Sequence, residues 1–98
     1  VDFPEPDYTT CGGFTPLMKI AKLAEAYNLP IITHGAHDAH IQLLAACPNA
    51  AYMEVHAFGV EDYISNPLKM ENGYGIASDL PGIGFEFNFD KLKQYKTN

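Results

Sequence analysis

The sequence predicts an α/β fold with parallel strands, of the kind found in a segment of a (β/α)8 TIM-type barrel. Residues 31–33 and 51–55 form short apolar runs without polar alternation, which is typical of strands buried on both faces. Helical patterns precede both runs, over residues 17–27 and 37–47, so parallel crossovers join the strands. Polar residues stand where the strands end, and barrel active sites lie at such positions.

The predicted helix ends follow from residues that start or stop helices. Thr15 followed by Pro16 is typical of a hydroxyl cap with proline in the first turn. Asn28 is expected to end the first helix, because asparagine tolerates the left-handed backbone found there. The second helix is expected to begin at residue 37 or 38 and to stop before Pro48.

The pattern changes in the last third of the chain. Residues 67–77 predict a β-hairpin with its turn at Asn72-Gly73. Phenylalanines then alternate with polar residues over 85–89, which predicts a half-buried strand or an extended arm. We therefore divide the chain into a barrel segment, residues 1–66, and a hairpin and arm, residues 67–98.

The predicted sheet needs more chain than these residues supply. Parallel strands that are apolar on both faces need covering layers on both sides, and two helices and an arm do not provide them. The sequence also begins at Val1 without an initiator methionine. We expect it to be the C-terminal portion of a larger barrel. Isolated, the 98 residues should unfold with poor cooperativity and bind a hydrophobic dye.

Composition excludes several classes of function. Twelve acidic against six basic residues give a net charge of −6, which argues against nucleic-acid binding and against an anionic membrane surface. No apolar run approaches the roughly 18 residues of a membrane span. Cys11 and Cys47 follow no zinc or CxxC spacing, so we expect free thiols in a reducing compartment, the cytoplasm.

Asp7 and His34 are the first candidates for catalysis. Both are expected at the ends of adjacent strands, where their side chains can meet although they are remote in sequence. A carboxylate that accepts the Nδ1 proton of an imidazole leaves Nε2 free to take a proton, which makes a general base. The alternative is structural, with His34 a hydrogen-bonded strand-end residue and Asp7 a turn residue.

Glu54 is the third candidate, since it ends the last apolar run, where an ionised glutamate needs a partner. An apolar setting would favour its protonated form, which could donate a hydrogen bond to an oxyanion. The alternative is a structural salt bridge.

His37 and Asp38 are assigned to substrate binding at the pocket rim, because they follow His34 closely. His34, His37 and His40 also allow a transition-metal site, but the spacing lacks the usual HxxxH pair with a remote third ligand. We therefore assign no residue of this chain to a metal. His40 is expected to pack.

Three stretches carry a resemblance to a known family: PDYTTCGGFTPLMKIAKLAEAYNLP, IITHGAHDAHIQLLAACPNAAYMEVH and PLKMENGYGIASDLPGIGFEFN. In order and spacing they resemble the C-terminal part of the enolase superfamily, in its mandelate racemase/muconate-lactonizing enzyme subgroup. The resemblance implies that residues 1–7, 30–34 and 51–55 contain strands six, seven and eight of the barrel. It also implies that the hairpin and arm pack on an N-terminal capping domain absent from this chain.

The resemblance also implies roles. Asp7 and His34 match the family's Asp–His dyad, and Glu54 matches the acid that hydrogen-bonds the substrate carboxylate or the intermediate. Mg²⁺, with ligands expected in the missing upstream part of the barrel, would stabilise an enediolate. Within the subgroup the chain most resembles acid-sugar dehydratases, which implies a small carboxylate substrate and a homo-oligomer. The 98 residues alone are expected to be inactive.

Two other functions stay open. A racemase, epimerase or cycloisomerase of the same superfamily would use the same groups without losing water. A non-catalytic binding or structural module would leave the polar tips of Asp7, His34 and Glu54 separated or sealed from solvent.

Overall fold

The computed structural model describes residues 1–56 and 59–97. Short helices and strands alternate along the chain, and no helix of the described residues is both long and apolar enough for a membrane span. In chain order the elements are α1 (Tyr8–Cys11), α2 (Phe14–Ala26), β1 (Ile31–Thr33), α3 (His37–Ala45), β2 (Ala50–Met53), a 3-10 turn (Glu61–Tyr63), β3 (Lys69–Glu71), β4 (Tyr74–Ile76), α4 (Phe89–Leu92) and a 3-10 turn (Lys93–Tyr95).

The predicted parallel crossover is confirmed, because β1 and β2 pair in parallel with Thr33 opposite Met53. The chain before α1 runs along the other side of β1. There the Ile32 amide donates to the Pro4 carbonyl at 3.2 Å, and the His34 amide donates to the Pro6 carbonyl at 3.2 Å. Prolines have no amide hydrogen to return these bonds, so this segment lies beside β1 without forming a regular strand.

Helix α2 is confirmed, but its start is not the predicted one. Gly13, with φ of 110°, precedes the first helical residue, so Thr15 lies inside the first turn and does not cap the helix. The end at Asn28 is as predicted, with φ of 55°. The amides of Asn28 and Leu29 donate to the last turn of the helix, in the arrangement known as a Schellman motif.

The core lies between α2, β1 and α3. Its buried members are Leu17, Ala21, Ala24, Ile31, Leu43, Leu44 and Cys47. Leu23 and Tyr27 are exposed, although the helical pattern placed them on the apolar face. Both lie to one side of the buried stripe that Leu17, Ala21 and Ala24 form. Cys11 and Cys47 are both free thiols, as predicted.

Strand β2 departs from the prediction of a strand buried on both faces. Ala50, Ala51 and Tyr52 are exposed and Met53 is half-buried. The strand pairs with β1 on one edge, and among the described residues no further strand pairs with its other edge. Apolar strands become buried only when covering layers are present, so the composition of β2 fits a larger sheet than this one.

The hairpin is confirmed and the arm is confirmed in part. Strands β3 and β4 pair antiparallel, and Asn72 and Gly73 both have positive φ, as a type I′ turn requires. Phe87 forms an isolated antiparallel bridge with Ile64, but Phe89 begins α4 instead of extending the arm, because Asn88 caps that helix. The division at residue 66 stays a prediction.

Candidate active site

Asp7 is positioned by the helix that it caps. Its backbone is extended, and its Oδ1 atom accepts the amide hydrogen of Thr9 at 2.9 Å, which caps α1. The sequence patterns predict no helix before Thr15 and therefore miss α1, although Asp is a favoured capping residue. The cap fixes the carboxylate and leaves Oδ2 to face the end of β1.

His34 follows β1 directly and meets Asp7, as predicted. Its Nδ1 atom lies 3.3 Å from Asp7 Oδ2, across 27 positions of sequence. When Nδ1 carries the hydrogen and donates it to the carboxylate, Nε2 is left with a lone pair. The His34 side chain is 61% exposed, so a molecule can approach the ring from solvent.

The pair raises the proton affinity of the imidazole. The hydrogen bond that His34 donates to Asp7 raises the pKa of His34 above its ordinary value, and the charge of Glu54 adds to this. Burial acts to raise the pKa of Asp7, but hydrogen bonds from Thr9 and His34 outweigh it and the pKa is lowered. Asp7 therefore stays a carboxylate while His34 titrates.

Glu54 follows β2 and contacts the loop after His34. Its Oε2 atom accepts the amide hydrogen of Gly35 at 2.6 Å and lies 4.0 Å from His56 Nε2. The side chain is 39% exposed. The described residues therefore do not supply the apolar setting expected for Glu54, since none of their strands pairs with the outer edge of β2.

His37 and Asp38, the residues assigned to substrate binding, are both buried. Asp38 Oδ1 accepts the amide hydrogen of Leu68 at 2.7 Å, which ties α3 to the segment before the hairpin. Asp38 also lines a cavity of about 290 Å³ that Asp7 and His34 share. His37 Nδ1 is buried without a hydrogen-bond partner among the described residues. Substrate binding by His37 and Asp38 stays a prediction.

His40 is the residue whose part sequence reasoning missed. It is fully buried and contacts the loops of both dyad residues. Its Nδ1 atom lies 2.6 Å from the Gly35 carbonyl oxygen, and its Nε2 atom accepts the amide hydrogen of Tyr8 at 3.1 Å. The available signal was a histidine on a largely apolar helix face, six residues after the strand-end histidine.

The described residues do not fit a magnesium site. His40 has both ring nitrogens in backbone hydrogen bonds, which weighs against the trio of His34, His37 and His40 as metal ligands. His37, Asp38 and Glu61 place possible ligand atoms within 4.8 Å of one another. Mg²⁺ takes oxygen ligands in octahedral geometry, whereas this group includes an imidazole and a carboxylate already bonded to backbone.

The fold and these contacts define a class of protein. A carboxylate and an imidazole from the ends of neighbouring parallel segments, with a second carboxyl group beside them, are an acid–base arrangement at the edge of an α/β sheet. The family model described as enolase C-terminal domain-like matches residues 1–91. The chain belongs to this family.

Curated relatives include isomerases and dehydratases of sugar acids. A 3,6-anhydro-alpha-L-galactonate cycloisomerase from Streptomyces coelicolor is 42% identical over 91% of this chain and 25% of its own length. An L-talarate/galactarate dehydratase from Salmonella typhimurium is 32% identical over 86% of this chain and 21% of its own length. The chain thus spans about a quarter of the length of these relatives.

Solved structures with the same fold contain magnesium. A racemase from Streptomyces coelicolor with bound magnesium superposes with a TM-score of 0.88 and 37% identity, over 96% of this chain and 26% of the other. An L-talarate dehydratase from Polaromonas, complexed with Mg and L-glucarate, gives a TM-score of 0.90 and 28% identity, over 100% of this chain and 27% of the other. The resemblance found in the sequence is confirmed.

Proposed function

We propose that the full-length protein carrying this sequence removes the proton α to the carboxylate of a sugar acid, with His34 as the base. The observation that carries the proposal is the contact of 3.3 Å between His34 Nδ1 and Asp7 Oδ2. It leaves Nε2 as the only ring nitrogen able to accept the substrate proton. The Asp7 carboxylate then stabilises the imidazolium that forms.

Glu54 is the proposed electrophile. Its Oε2 atom already accepts the Gly35 amide hydrogen, so a proton on Oε1 would allow it to donate to the substrate carboxylate while keeping that bond. Negative charge develops on the carboxylate as the α-proton leaves, and a donor placed there lowers the barrier. The proposed role therefore requires Glu54 to act as an acid.

Magnesium is proposed as a cofactor of the full-length protein, because the solved relatives named above contain it. Its charge would stabilise the developing dianion. The residues that the structure describes do not fit a magnesium site, so none is assigned to it. Binding of the sugar acid at His37 and Asp38, a homo-oligomer and a cytoplasmic location belong to the same proposal.

Dehydration is the proposed outcome of the reaction. After proton removal, the hydroxyl group on the β-carbon leaves as water, and its departure takes a proton from the imidazolium of His34. The α C–H and β C–O bonds break, and the enol that forms gives a 2-keto-3-deoxy acid. Cycloisomerisation is the second candidate, since the cycloisomerase named above is 42% identical to this chain.

The test is a product screen with the full-length protein and Mg²⁺. Aldonic, aldaric and anhydro sugar acids are incubated separately with the protein, and the mass of each product is measured by mass spectrometry. Loss of one water identifies a dehydratase, whereas an isomer of unchanged mass identifies a cycloisomerase, racemase or epimerase. His34→Asn should abolish turnover, and Lys19→Gln on the exposed side of α2 is the control. No consumption of any acid would overturn the proposal and favour a non-catalytic module.

A further inference from the structure

We propose that His40 is a positioning residue that holds Asp7 and His34 at their working distance by bridging the backbone of Tyr8 and Gly35. This inference rests on the proposed function, because it assigns His40 to the geometry of that acid–base pair. His40 makes no hydrogen bond to either side chain of the pair among the described contacts, and its Nε2 atom lies 3.8 Å from Asp7 Oδ1. His40 acts through Tyr8 and Gly35, the residues that follow Asp7 and His34.

Each ring nitrogen of His40 holds one of the two loops. Nδ1 lies 2.6 Å from the carbonyl oxygen of Gly35, the residue after His34. Nε2 lies 3.1 Å from the amide nitrogen of Tyr8, the residue after Asp7. A carbonyl only accepts and an amide only donates, so the ring must carry its hydrogen on Nδ1 and none on Nε2. Burial also lowers the pKa of His40, which keeps the ring neutral.

The bridge adds to two other contacts that place the pair, the Thr9 amide on Asp7 Oδ1 at 2.9 Å and the His34 amide on the Pro6 carbonyl at 3.2 Å. Asp7 and His34 come from different loops, and their contact of 3.3 Å is long for a charge-assisted hydrogen bond. A rotation of either loop would lengthen it further. Gly35 is held on both sides, since its amide donates to Glu54 and its carbonyl accepts from His40.

The loop is closely packed at Gly35, which leaves it little room to move. Its φ is +58°, and an added Cβ would lie 3.1 Å from His56 Nε2 and 3.7 Å from Asp7 Oδ2. The ring of Tyr8 meets the His40 ring edge-on, with centroids 5.1 Å apart. Both loops therefore pack around the buried imidazole of His40.

Three substitutions in the full-length enzyme separate the two bonds. His40→Asn keeps a donor at the position of Nδ1 for Gly35, His40→Gln keeps an acceptor at the position of Nε2 for Tyr8, and His40→Leu keeps neither. We expect His40→Leu to lower kcat about ten- to a hundred-fold, since small misplacements of reacting groups cost that much. KM should change by about two-fold or less, because substrate contacts are intact. The two amide variants should lie between.

A second readout does not depend on turnover. The carboxylates of Asp7, Glu54 and Glu5 raise the pKa of His34, with the Asp7 hydrogen bond first. If His40→Leu loosens that bond, NMR titration of the full-length protein will show a lower pKa for His34 than in the wild type. This measurement tests the bridge even if the product screen fails.

Leu44→Ala is the control for a general loss of stability, because Leu44 is buried on the same helix and belongs to the core. It should lower the melting temperature while leaving kcat and the His34 titration unchanged below the melting range. The inference is overturned if His40→Leu leaves the titration of His34 unchanged, or if Leu44→Ala lowers kcat as much as His40→Leu does.

Discussion

The carboxylate of Glu54 accepts a hydrogen bond of 2.6 Å from the backbone amide of Gly35, and so joins the end of β2 to the loop after β1. His34 directly precedes Gly35 in the chain. The second carboxyl group of the candidate site is therefore fixed by a backbone amide, which leaves its Oε1 atom to a ligand. Glu54 therefore links the ends of β1 and β2.

Glu54 variants should separate anchoring from proton donation. Glu54→Gln keeps a carbonyl oxygen for the Gly35 amide and an N–H donor, whereas Glu54→Leu leaves the amide without its partner. We expect the glutamine variant to retain more kcat than the leucine variant, which should also lose about 1–3 kcal/mol of stability from the unpaired amide. Steady-state kinetics and melting curves measure both. Equal activity of the two variants would show that the Gly35 contact is irrelevant to turnover.

Asp7→Asn should change the pH dependence of the reaction. The Asp7 hydrogen bond is the first cause of the raised pKa of His34, so its weakening lowers that pKa. The acid limb of the kcat/KM profile reports the base in the free enzyme and should move to lower pH, with a smaller plateau because the base is weaker. A profile that keeps its acid limb in Asp7→Asn would contradict the pairing.

The same pair sets a pH window for stability. His34 has a raised pKa, so its contribution is fully present below its ordinary value of 6.5 and is lost as the pH rises through the raised value. Asp7 has a lowered pKa, so its contribution is present above 3.8 and is lost as the pH falls through the lowered value. In Asp7→Asn this variation should flatten when melting temperatures are compared across pH.

The turn between β3 and β4 predicts a local effect of substitution. Gly73 has φ of +81°, and an added Cβ would meet nothing within 4 Å, so Gly73→Ala adds backbone strain alone. We expect a loss of about 1 kcal/mol in hairpin stability. Hydrogen exchange of the amides of β3 and β4 should accelerate, while exchange in α2 stays unchanged. Asn72→Gly should be nearly neutral, because glycine also adopts positive φ.

The isolated chain should behave as an incomplete fold. Large apolar side chains that are exposed include Val1, Phe3, Tyr52, Val55 and Tyr74. We expect the 98 residues alone to bind a hydrophobic dye, to unfold without a sharp transition and to catalyse nothing. A cooperative melt without dye binding would contradict this expectation.

The sequence predicted those parts of the fold that local patterns decide. Helices α2 and α3, the two parallel strands and the Asn72-Gly73 hairpin followed from periodicity and turn chemistry. Helix α1 was missed because its four residues are too few to show helical periodicity. The capping residue Asp7 is the sequence signal for this helix. The exposure of β2 could not be read from composition, since burial depends on which elements pack beside the strand, and no further strand of the described residues pairs with its outer edge.

The candidate site was predictable to a similar extent. The meeting of Asp7 and His34 followed from their strand ends, because parallel strands bring remote residues to one edge. The link from Glu54 to Gly35 and the bridge by His40 depend on backbone atoms, which no side-chain pattern reports. His40 therefore looked like a packing residue until its two partners were known.

The fate of the α-hydrogen is the most direct measurement of the central claim. Full-length wild type, Lys19→Gln and His34→Asn are incubated with Mg²⁺ and an accepted sugar acid that carries deuterium at the α-carbon. Wild type and Lys19→Gln should release the deuterium to solvent, and His34→Asn should do so at least about a hundred times more slowly. Product that retains the α-deuterium, or release by His34→Asn at the wild-type rate, would contradict the assignment of His34 as the base.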